Sequence, residues 1–398
     1  MKKVFLFADK GQDYCFFTKI VNKPVIDYPI LSSKEAGVAK LYLVSDHIDL
    51  ERPDLLIIKE EDIKNHIEED DDLIFFRANM PLVKAKSLKK LYDKLIDYDM
   101  VVEEDSSAAI YAIRGAAFLS VEEDEVKKSL AKLRSSLEKV KVINSKSGNK
   151  LFIVMDYEDL SKADSLLRKS INKEYMKKNI FIENPDSVTI EKGVKIGPGT
   201  RIESGVRILG KTQIGENCFI GFNSRIADSI IHDNVEVFTS FVEKSEIEDY
   251  TNIGPYARLR PNAHLKKKVH IGNFVEVKNS VVGEGTKAGH LAYIGDAELG
   301  KDINVSCGVI FANYDGKFKH KAVVEDGAFL GSNVNIVAPV KIEKDGFIAA
   351  GSTVTKDVKE GYLMVERAQR RDIEGYMARK RKRDKLKEVE MKEKNAKN

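Results

Sequence analysis

The sequence lacks most features that would mark an exported, membrane-bound or nucleic-acid-binding protein. Its 398 residues include three cysteines, Cys15, Cys218 and Cys307, which are far apart and without metal-site spacing. The apolar run after Met1 is too short for an export signal, and no stretch approaches the ~18 apolar residues of a membrane span. With 66 Lys+Arg against 63 Asp+Glu the net charge is only +3, so nucleic acid is not expected as a partner. We expect a reduced, cytoplasmic protein of about two domains, at roughly 150 residues each.

Glycine is scarce in the first half of the chain. Residues 1–186 contain four of the 26 glycines, and residues 187–398 contain the other 22. Halves that differ this much in glycine content are expected to have different architectures.

The second half is repetitive. Isoleucine recurs every six residues from Ile190 to Ile226, seven times in phase and often followed by glycine. A period of six fits neither a helix nor simple strand alternation, but it is typical of a solenoid with one inward aliphatic residue per short strand. Three repeats per triangular coil predict roughly nine or ten coils. A β-sandwich with coincidental spacing is the disfavoured alternative. An irregular polar segment, Phe311–Lys321, interrupts the repeat and is expected to form a surface loop over a site.

The first half has the pattern of an α/β domain. Short apolar segments predict strands, and segments with helical periodicity lie between them, which favours a parallel sheet covered on both faces. The predicted strands are Val4–Ala8, Lys40–Val44, Leu73–Phe76 and Met100–Val102, and the predicted helices include Ser87–Ile96 and Glu122–Leu137.

These patterns divide the chain into four parts. We predict an α/β domain over 1–158, a helical linker over 159–186, a β-helix over 187–358 and a basic tail over 359–398. Residues 367–398 contain 13 Lys/Arg and 6 Asp/Glu, a net of +7. A solvated helix explains this charge more simply than an anion-binding segment does.

Four motifs in the second half resemble the acetyltransferase half of the bacterial bifunctional GlmU family. They are Gly254–Pro261, His270–Lys278, Lys287–Asp296 and Ala312–Gly316. The resemblance covers roughly residues 180–370. It implies a left-handed parallel β-helix, a homotrimer and acetyl-CoA bound between neighbouring coils. The implied reaction is N-acetylation of glucosamine-1-phosphate, which supplies UDP-N-acetylglucosamine for the cell wall.

The family's functional residues can be carried over position by position. Acetylation needs a neutral amine, and a histidine is suited to accept its proton near pH 7; the resemblance assigns that role to His290. The implied acceptor-binding residues are Arg260, Lys278, Tyr293 and Asn304, and the implied acetyl-CoA-binding residues are Cys307, Asn313, Tyr314, Lys319, Ser332, Ala350 and Arg367. Lys319 is also a candidate for holding phosphate. Ser306 departs from the family by replacing a glycine, and we interpret Cys307 as a small packed residue without nucleophilic function.

The first half departs from the family's uridyltransferase motifs at several positions. Asp9 replaces the first glycine of the phosphate-binding loop, Cys15 falls where the catalytic lysine is expected, and Ala78-Asn79 replaces the Gly-Asp that binds magnesium. The asparagine of the magnesium site falls near Asp156. We predict a nucleotidyltransferase-like, Rossmann-like domain without uridyltransferase activity or a metal. The alternatives are a still-bifunctional enzyme, an acyltransferase for another amino sugar, and a non-catalytic trimeric scaffold.

Overall fold

The amino-terminal part of the chain contains a seven-stranded sheet with helices on both sides. The computed structural model describes residues 1–8, 13–48, 50–105, 108–121, 126–145, 151–368 and 370–395. In chain order the elements are β1 (Lys2–Phe7), α1 (Asp13–Phe17), β2 (Lys19–Ile20), β3 (Lys23–Pro24), α2 (Asp27–Glu35), β4 (Lys40–Val44), β5 (Leu56–Ile58), a 3₁₀ helix (Glu60–His66), β6 (Asp72–Arg77), α3 (Ala85–Lys94), β7 (Met100–Glu104), β8 (Ala109–Arg114), α4 (Gly115–Leu119), α5 (Val126–Ser136) and β9 (Val140–Asn144).

The sheet is mixed, so the prediction of a parallel sheet was wrong at one strand. Its order is β5-β4-β1-β6-β8-β7-β9, and β8 runs antiparallel to both of its neighbours. Only four residues separate β7 from β8. A parallel connection needs a dozen or more residues, so these two strands can pair only in antiparallel fashion.

Alternate residues of the central strand β1 contribute to the cores on the two faces of the sheet. Val4 and Leu6 belong to one buried cluster, whereas Phe5 belongs to the other. The Phe5 ring stacks against Tyr42 and Phe75, with centroids 4.7 and 5.0 Å apart. Burying each such side chain stabilises the fold by roughly 1.5–3 kcal/mol. The prediction that helices cover both faces is confirmed.

A long helix, α6 (Tyr157–Met176), connects the sheet domain to the second half of the chain. The Asp164 carboxylate accepts a hydrogen bond from the Val21 backbone N–H at 2.7 Å, and the Tyr175 hydroxyl donates to the Val194 carbonyl at 2.6 Å. Glu191 adds a second link, since its carboxylate accepts from the Asn22 amide at 2.9 Å. These bonds hold the sheet domain against the start of the β-helix.

The second half is a three-sided parallel β-helix, as the six-residue period predicts. Its sheets have eleven, ten and nine strands, and we call them the first, second and third faces. The first face contains Phe181–Ile182, Arg201–Ile202, Phe219–Ile220, Glu236–Val237, Asn252–Ile253, His270–Asn273, Lys287–His290, Asn304–Val305, Phe329–Leu330, Phe347–Ile348 and Leu363–Met364. The second face contains Thr189–Ile190, Arg207–Leu209, Arg225–Ala227, Phe241–Glu243, Arg258–Leu259, Glu276–Lys278, Tyr293–Gly295, Ile310–Ala312, Asn335–Val337 and Thr353–Val354. The third face contains Lys195–Ile196, Gln213–Ile214, Ile230–Ile231, Glu246–Ile247, Ala263–Leu265, Ser280–Val282, Ala297–Leu299, Ala322–Val324 and Val340–Ile342.

The repeat residues have two physical roles in this β-helix. Ile190, Ile208 and Ile226 stack on one another in register along the second face, and each is fully buried. The glycine that follows many isoleucines allows neighbouring coils to approach closely. A Cβ on Gly197 would lie 2.6 Å from the Gly215 carbonyl, so a side chain there would force the coils apart.

The carboxy-terminal helix α7 (Tyr376–Asn395) contains the basic cluster of the tail, and its described side chains are mostly exposed. None of the described helices is both long and apolar enough to cross a membrane.

Candidate active site

One corner of the β-helix, between the first and second faces, carries a row of the predicted site residues. We call it the His290 corner; its row consists of His290, Cys307, Ser332, Ala350 and Arg367. Each belongs to a successive coil. Backbone hydrogen bonds of 2.8–2.9 Å join these coils: Gly308 N–H to Leu291, Asn333 N–H to Cys307 and Gly351 N–H to Ser332. The Arg367 Nε donates to the Ala350 carbonyl at 2.8 Å. Four coil steps of about 4.8 Å give a row about 19 Å long.

His290 is exposed at one end of this row, and a neighbouring coil orients its ring. The Asn273 Oδ1 lies 3.0 Å from His290 Nδ1, because the two residues are partners in the register of the first face. A carbonyl oxygen can only accept, so this contact is a hydrogen bond in the tautomer that carries the proton on Nδ1, and in that tautomer Nε2 keeps its lone pair. The exposed Nε2 is therefore available as a base.

A cluster of cations lies at the other edge of the second face. Arg260 follows the strand Arg258–Leu259, and its guanidinium is 2.7 Å from the Glu276 carboxylate, which raises the Arg260 pKa. The nearby Lys319 ammonium lowers the pKa of Lys278 below its ordinary value, and Arg260 adds to this effect. Adjacent cations form a site suited to a phosphate group.

The irregular segment predicted from the sequence is a small loop between the second and third faces. Tyr314 and Lys319 pair across it as an antiparallel bridge. The Asp315 carboxylate accepts from His320 Nε2 at 2.7 Å and from the Phe318 and Lys317 N–H groups, and these bonds lower its pKa to about 2. The loop therefore has a defined conformation, which places Lys319 beside Lys278.

A cavity of about 340 Å³ lies under this loop, lined by Asn262, Asn279, Asp296 and Lys319 among others. Asn313 is 8% exposed, and its side-chain amide donates to the Asp296 carboxylate. The prediction that the segment lies over a site agrees with this cavity.

Tyr293 lies between the His290 corner and the cation cluster. The Tyr293 ring extends over Gly295, since a Cβ added to Gly295 would lie 2.4 Å from the Tyr293 Oη. Glycine at position 295 is thus required for this ring position.

Two further predicted residues make hydrogen bonds to residues two positions away in the sequence. Asn304 is on the first face, where its amide donates to the Ser306 hydroxyl at 2.9 Å. Ser306, which departs from the family's glycine, therefore serves as a partner of Asn304. Tyr314 is 61% exposed on the loop, and its hydroxyl donates to the Gly316 carbonyl at 2.6 Å.

Three polar residues of the site were assigned no role in the sequence analysis. Asn273 orients His290, Glu276 pairs with Arg260, and Asp296 binds Asn313. The sequence does contain a signal that could have identified Asn273 and Asp296, because they lie 17 residues before His290 and Asn313, respectively. One coil here has 17 residues, so such side chains stack.

The positions compared with the uridyltransferase motifs have structural contacts in the sheet domain. Cys15 and Ala78 are fully buried. Asn79 donates its amide to the Val154 carbonyl at 2.7 Å, and Asp156 caps α6 by accepting from the Asp159 N–H at 2.8 Å. Asp9 lies outside the described residues. Within the described part of the chain, no group of three or more His, Cys, Asp or Glu side chains is arranged to hold a metal.

Comparison with known proteins relates the whole chain to one set of enzymes. A family described as "Hexapeptide repeat of succinyl-transferase" matches residues 211–231 and 321–356. The bifunctional protein GlmU of Caldanaerobacter subterraneus subsp. tengcongensis is 33% identical over 436 residues, which cover 92% of this chain and 94% of that protein. The GlmU of Clostridioides difficile is also 33% identical, with the same coverage. The GlmU of Alkaliphilus metalliredigens is 40% identical over 242 residues, 61% of this chain and 53% of that protein.

Two solved structures have more distant similarity. Rv0371c from Mycobacterium tuberculosis, in complex with manganese, is 11% identical with a TM-score of 0.34, and the alignment covers 40% of this chain and 96% of that one. A UDP-N-acetylglucosamine acyltransferase from Campylobacter jejuni is 23% identical with a TM-score of 0.28, covering 46% of this chain and 70% of that one.

The β-helix is built on the hexapeptide repeats of a transferase class, as found in acyltransferases. The two relatives at 33% identity match nearly the full length of both chains. The chain therefore belongs to the GlmU family, and the resemblance found in the sequence is confirmed.

Proposed function

We propose that the protein transfers the acetyl group of acetyl-CoA to the amine of glucosamine-1-phosphate. The observation that carries this proposal is the arrangement of an oriented, exposed His290 and a cation cluster at the two edges of one face. That face is three residues wide, about 10 Å at ~3.3 Å per residue. An acceptor with an amine and a phosphate fits between these edges.

The His290 corner is suited to an elongated donor. Cys307, Ser332 and Ala350 are small and leave the corner accessible along its length, and the Arg367 guanidinium provides a cation at the far end. These residues would hold acetyl-CoA, with its phosphates toward Arg367. When bound, acetyl-CoA supplies the acetyl group as a thioester.

In the proposed reaction His290 Nε2 accepts a proton from the acceptor amine. The amine nitrogen forms the new bond to the acetyl carbon, the carbon–sulfur bond breaks, and the thiolate of coenzyme A takes up a proton. Arg260, Lys278 and Lys319 bind the phosphate, and Tyr293 contacts the sugar ring. Cys307 needs no covalent role, because direct transfer to the amine balances the reaction.

We further propose that the chain acts as a homotrimer and that its sheet domain does not form UDP-N-acetylglucosamine. The buried Cys15 and the structural contacts of Asn79 and Asp156 support the second point. A trimer would allow residues such as Asn304, which lies on the first face, to serve a neighbour's site.

Thiol release from acetyl-CoA in the presence of glucosamine-1-phosphate tests the transfer. His290→Ala should lower the rate by about 10²–10⁴, the usual contribution of a general base. His232→Ala is the matched control, because His232 is a partly exposed histidine of the β-helix that pairs with Glu246 on the third face. Equal loss in both variants, or no thiol release by the folded protein, would refute the proposal.

Two further measurements test the remaining points. Pyrophosphate released from UTP, magnesium and N-acetylglucosamine-1-phosphate would show that the protein is bifunctional. Light scattering should give a mass of about 134 kDa, three times 44.7 kDa, and a monomer mass would contradict the trimer.

A further inference from the structure

A buried carboxylate lies between two asparagine amides at the corner of the second and third faces. Asn279, Asp296 and Asn313 occupy equivalent positions in three successive coils, 17 residues apart. The Asn279 amide donates to one oxygen of Asp296 at 2.5 Å, and the Asn313 amide donates to the other. Asp296 is 9% exposed and Asn313 is 8% exposed. A buried charge needs such donors to replace its lost hydration.

These bonds determine the orientation of the Asn313 side chain. An ionised carboxylate can only accept hydrogen bonds, so the amide nitrogen must face Asp296 and the carbonyl oxygen must face away. That carbonyl oxygen accepts no hydrogen bond from the described residues around it. Without the carboxylate the amide could rotate by 180° and present N–H groups in place of the oxygen.

The Asp296 carboxylate is also close to the residues of the acceptor site. Its negative charge raises the pKa of Lys278, although the opposing effect of Lys319 on that pKa is larger. It lines the same cavity as Lys319. Among the described residues, the Asn313 side chain forms a hydrogen bond with Asp296 alone.

We propose that Asp296 is a positioning residue for the acetyl transfer, which it serves by holding the Asn313 carbonyl oxygen as a hydrogen-bond acceptor for an N–H of the bound substrates. This inference rests on the proposed function. Asp296 does not contact the reacting atoms in this proposal; it acts through Asn313 alone.

The first test is Asp296→Asn, which preserves the size of the side chain but can either donate or accept. We expect kcat for thiol release to fall at least tenfold, while KM for acetyl-CoA changes less than threefold. Asp326→Asn is the matched control, because Asp326 accepts the Lys301 N–H at 2.7 Å at a different corner and lies outside the site. A folded Asp296→Asn enzyme with the kcat of the unmodified protein would overturn the inference.

A double variant separates orientation from a merely structural role. Asp296→Asn combined with Asn313→Asp restores the hydrogen bond with donor and acceptor exchanged, and residue 313 still presents an acceptor oxygen. We expect the Tm to return to that of the unmodified protein and kcat to be at least fivefold higher than in Asp296→Asn. Recovery of the Tm with the low kcat of Asp296→Asn would refute the role of the oxygen.

A mutant cycle tests whether Asp296 acts through Asn313. In an Asn313→Ala background, Asp296→Asn should have no further effect on kcat, because the side chain that it positions is gone. Additive losses would contradict the inference. Absence of thiol release by the unmodified enzyme would instead refute the proposed function, so the two failures are distinguishable.

Discussion

The paired ammonium groups of Lys278 and Lys319 allow the phosphate site to be tested by removing one charge. Lys319 comes from the loop and Lys278 from the strand Glu276–Lys278, and their proximity lowers the pKa of Lys278. Two cations held together repel each other, and an anion between them relieves this repulsion. We therefore predict that Lys319→Ala weakens the binding of the sugar phosphate.

The size of the effect follows from the contact that is lost. A hydrogen bond to a charged group contributes about 1.5–3 kcal/mol. At about 1.4 kcal/mol per factor of ten, KM for glucosamine-1-phosphate should rise roughly 10- to 150-fold. Glucosamine without phosphate should react equally well with both enzymes, because it does not use the pair.

The pH dependence provides a second test with a defined sign. Loss of the Lys319 charge removes the largest influence that lowers the pKa of Lys278, so that pKa should rise. KM for the sugar phosphate increases when Lys278 loses its proton. In alkaline solution this increase should therefore begin at a higher pH in Lys319→Ala than in the unmodified enzyme.

Lys317→Ala is the matched control for this prediction. Lys317 carries the same charge in the same loop, but its ammonium lies over the Phe318 ring, 5.1 Å from the centroid. It should change KM less than threefold. Equal effects of Lys317→Ala and Lys319→Ala would mean that only the general charge of the loop matters, and an unchanged KM in Lys319→Ala would refute the phosphate site.

Two further predictions concern the same face and loop. Gly295→Ala should raise KM for the acceptor with little change in Tm, because the new Cβ would lie 2.4 Å from the Tyr293 hydroxyl and displace it. Gly289→Ala is the control, since a Cβ on Gly289 meets nothing within 4 Å. Equal KM values in the two variants would contradict the prediction. Asp315 has a pKa lowered to about 2 by His320 and two backbone N–H groups, so its stabilising contribution is complete above its ordinary pKa of about 3.9 and is lost as the pH falls toward 2. The Tm difference between the unmodified protein and Asp315→Asn should thus shrink as the pH falls from 4 to 2, whereas a difference that stays the same over this range would show that the pKa is not lowered.

The pairing of Lys278 with Lys319 in the site is a contact between residues far apart in the sequence. The sequence motif His270–Lys278 predicted the role of Lys278, and the break in the six-residue repeat predicted the loop. That Lys319 approaches Lys278 depends on the path of the loop, which the bridge between Tyr314 and Lys319 sets. A sequence pattern contains no distance between two such side chains.

The sheet domain shows the same limit. The apolar segments correctly predicted β1, β4, β6 and β7, because a buried strand needs a run of apolar residues. They did not predict β8, which lies between β6 and β7 in the sheet. The position of a strand in a sheet depends on which edges remain available to it, and the hydrophobicity of the strand does not record this.

The sequence by itself determined the β-helix, since an aliphatic residue every six positions can be buried only if each short strand turns the same side to a common axis. It also determined His290 as the candidate base, through the motif that surrounds it. Only the tertiary structure decided which side chains stack on one another. The 17-residue coils place Asn273 beside His290 and place Asp296 between Asn279 and Asn313. Hydrogen bonds act over about 3 Å, and only the stacking of the coils brings these residues within that range.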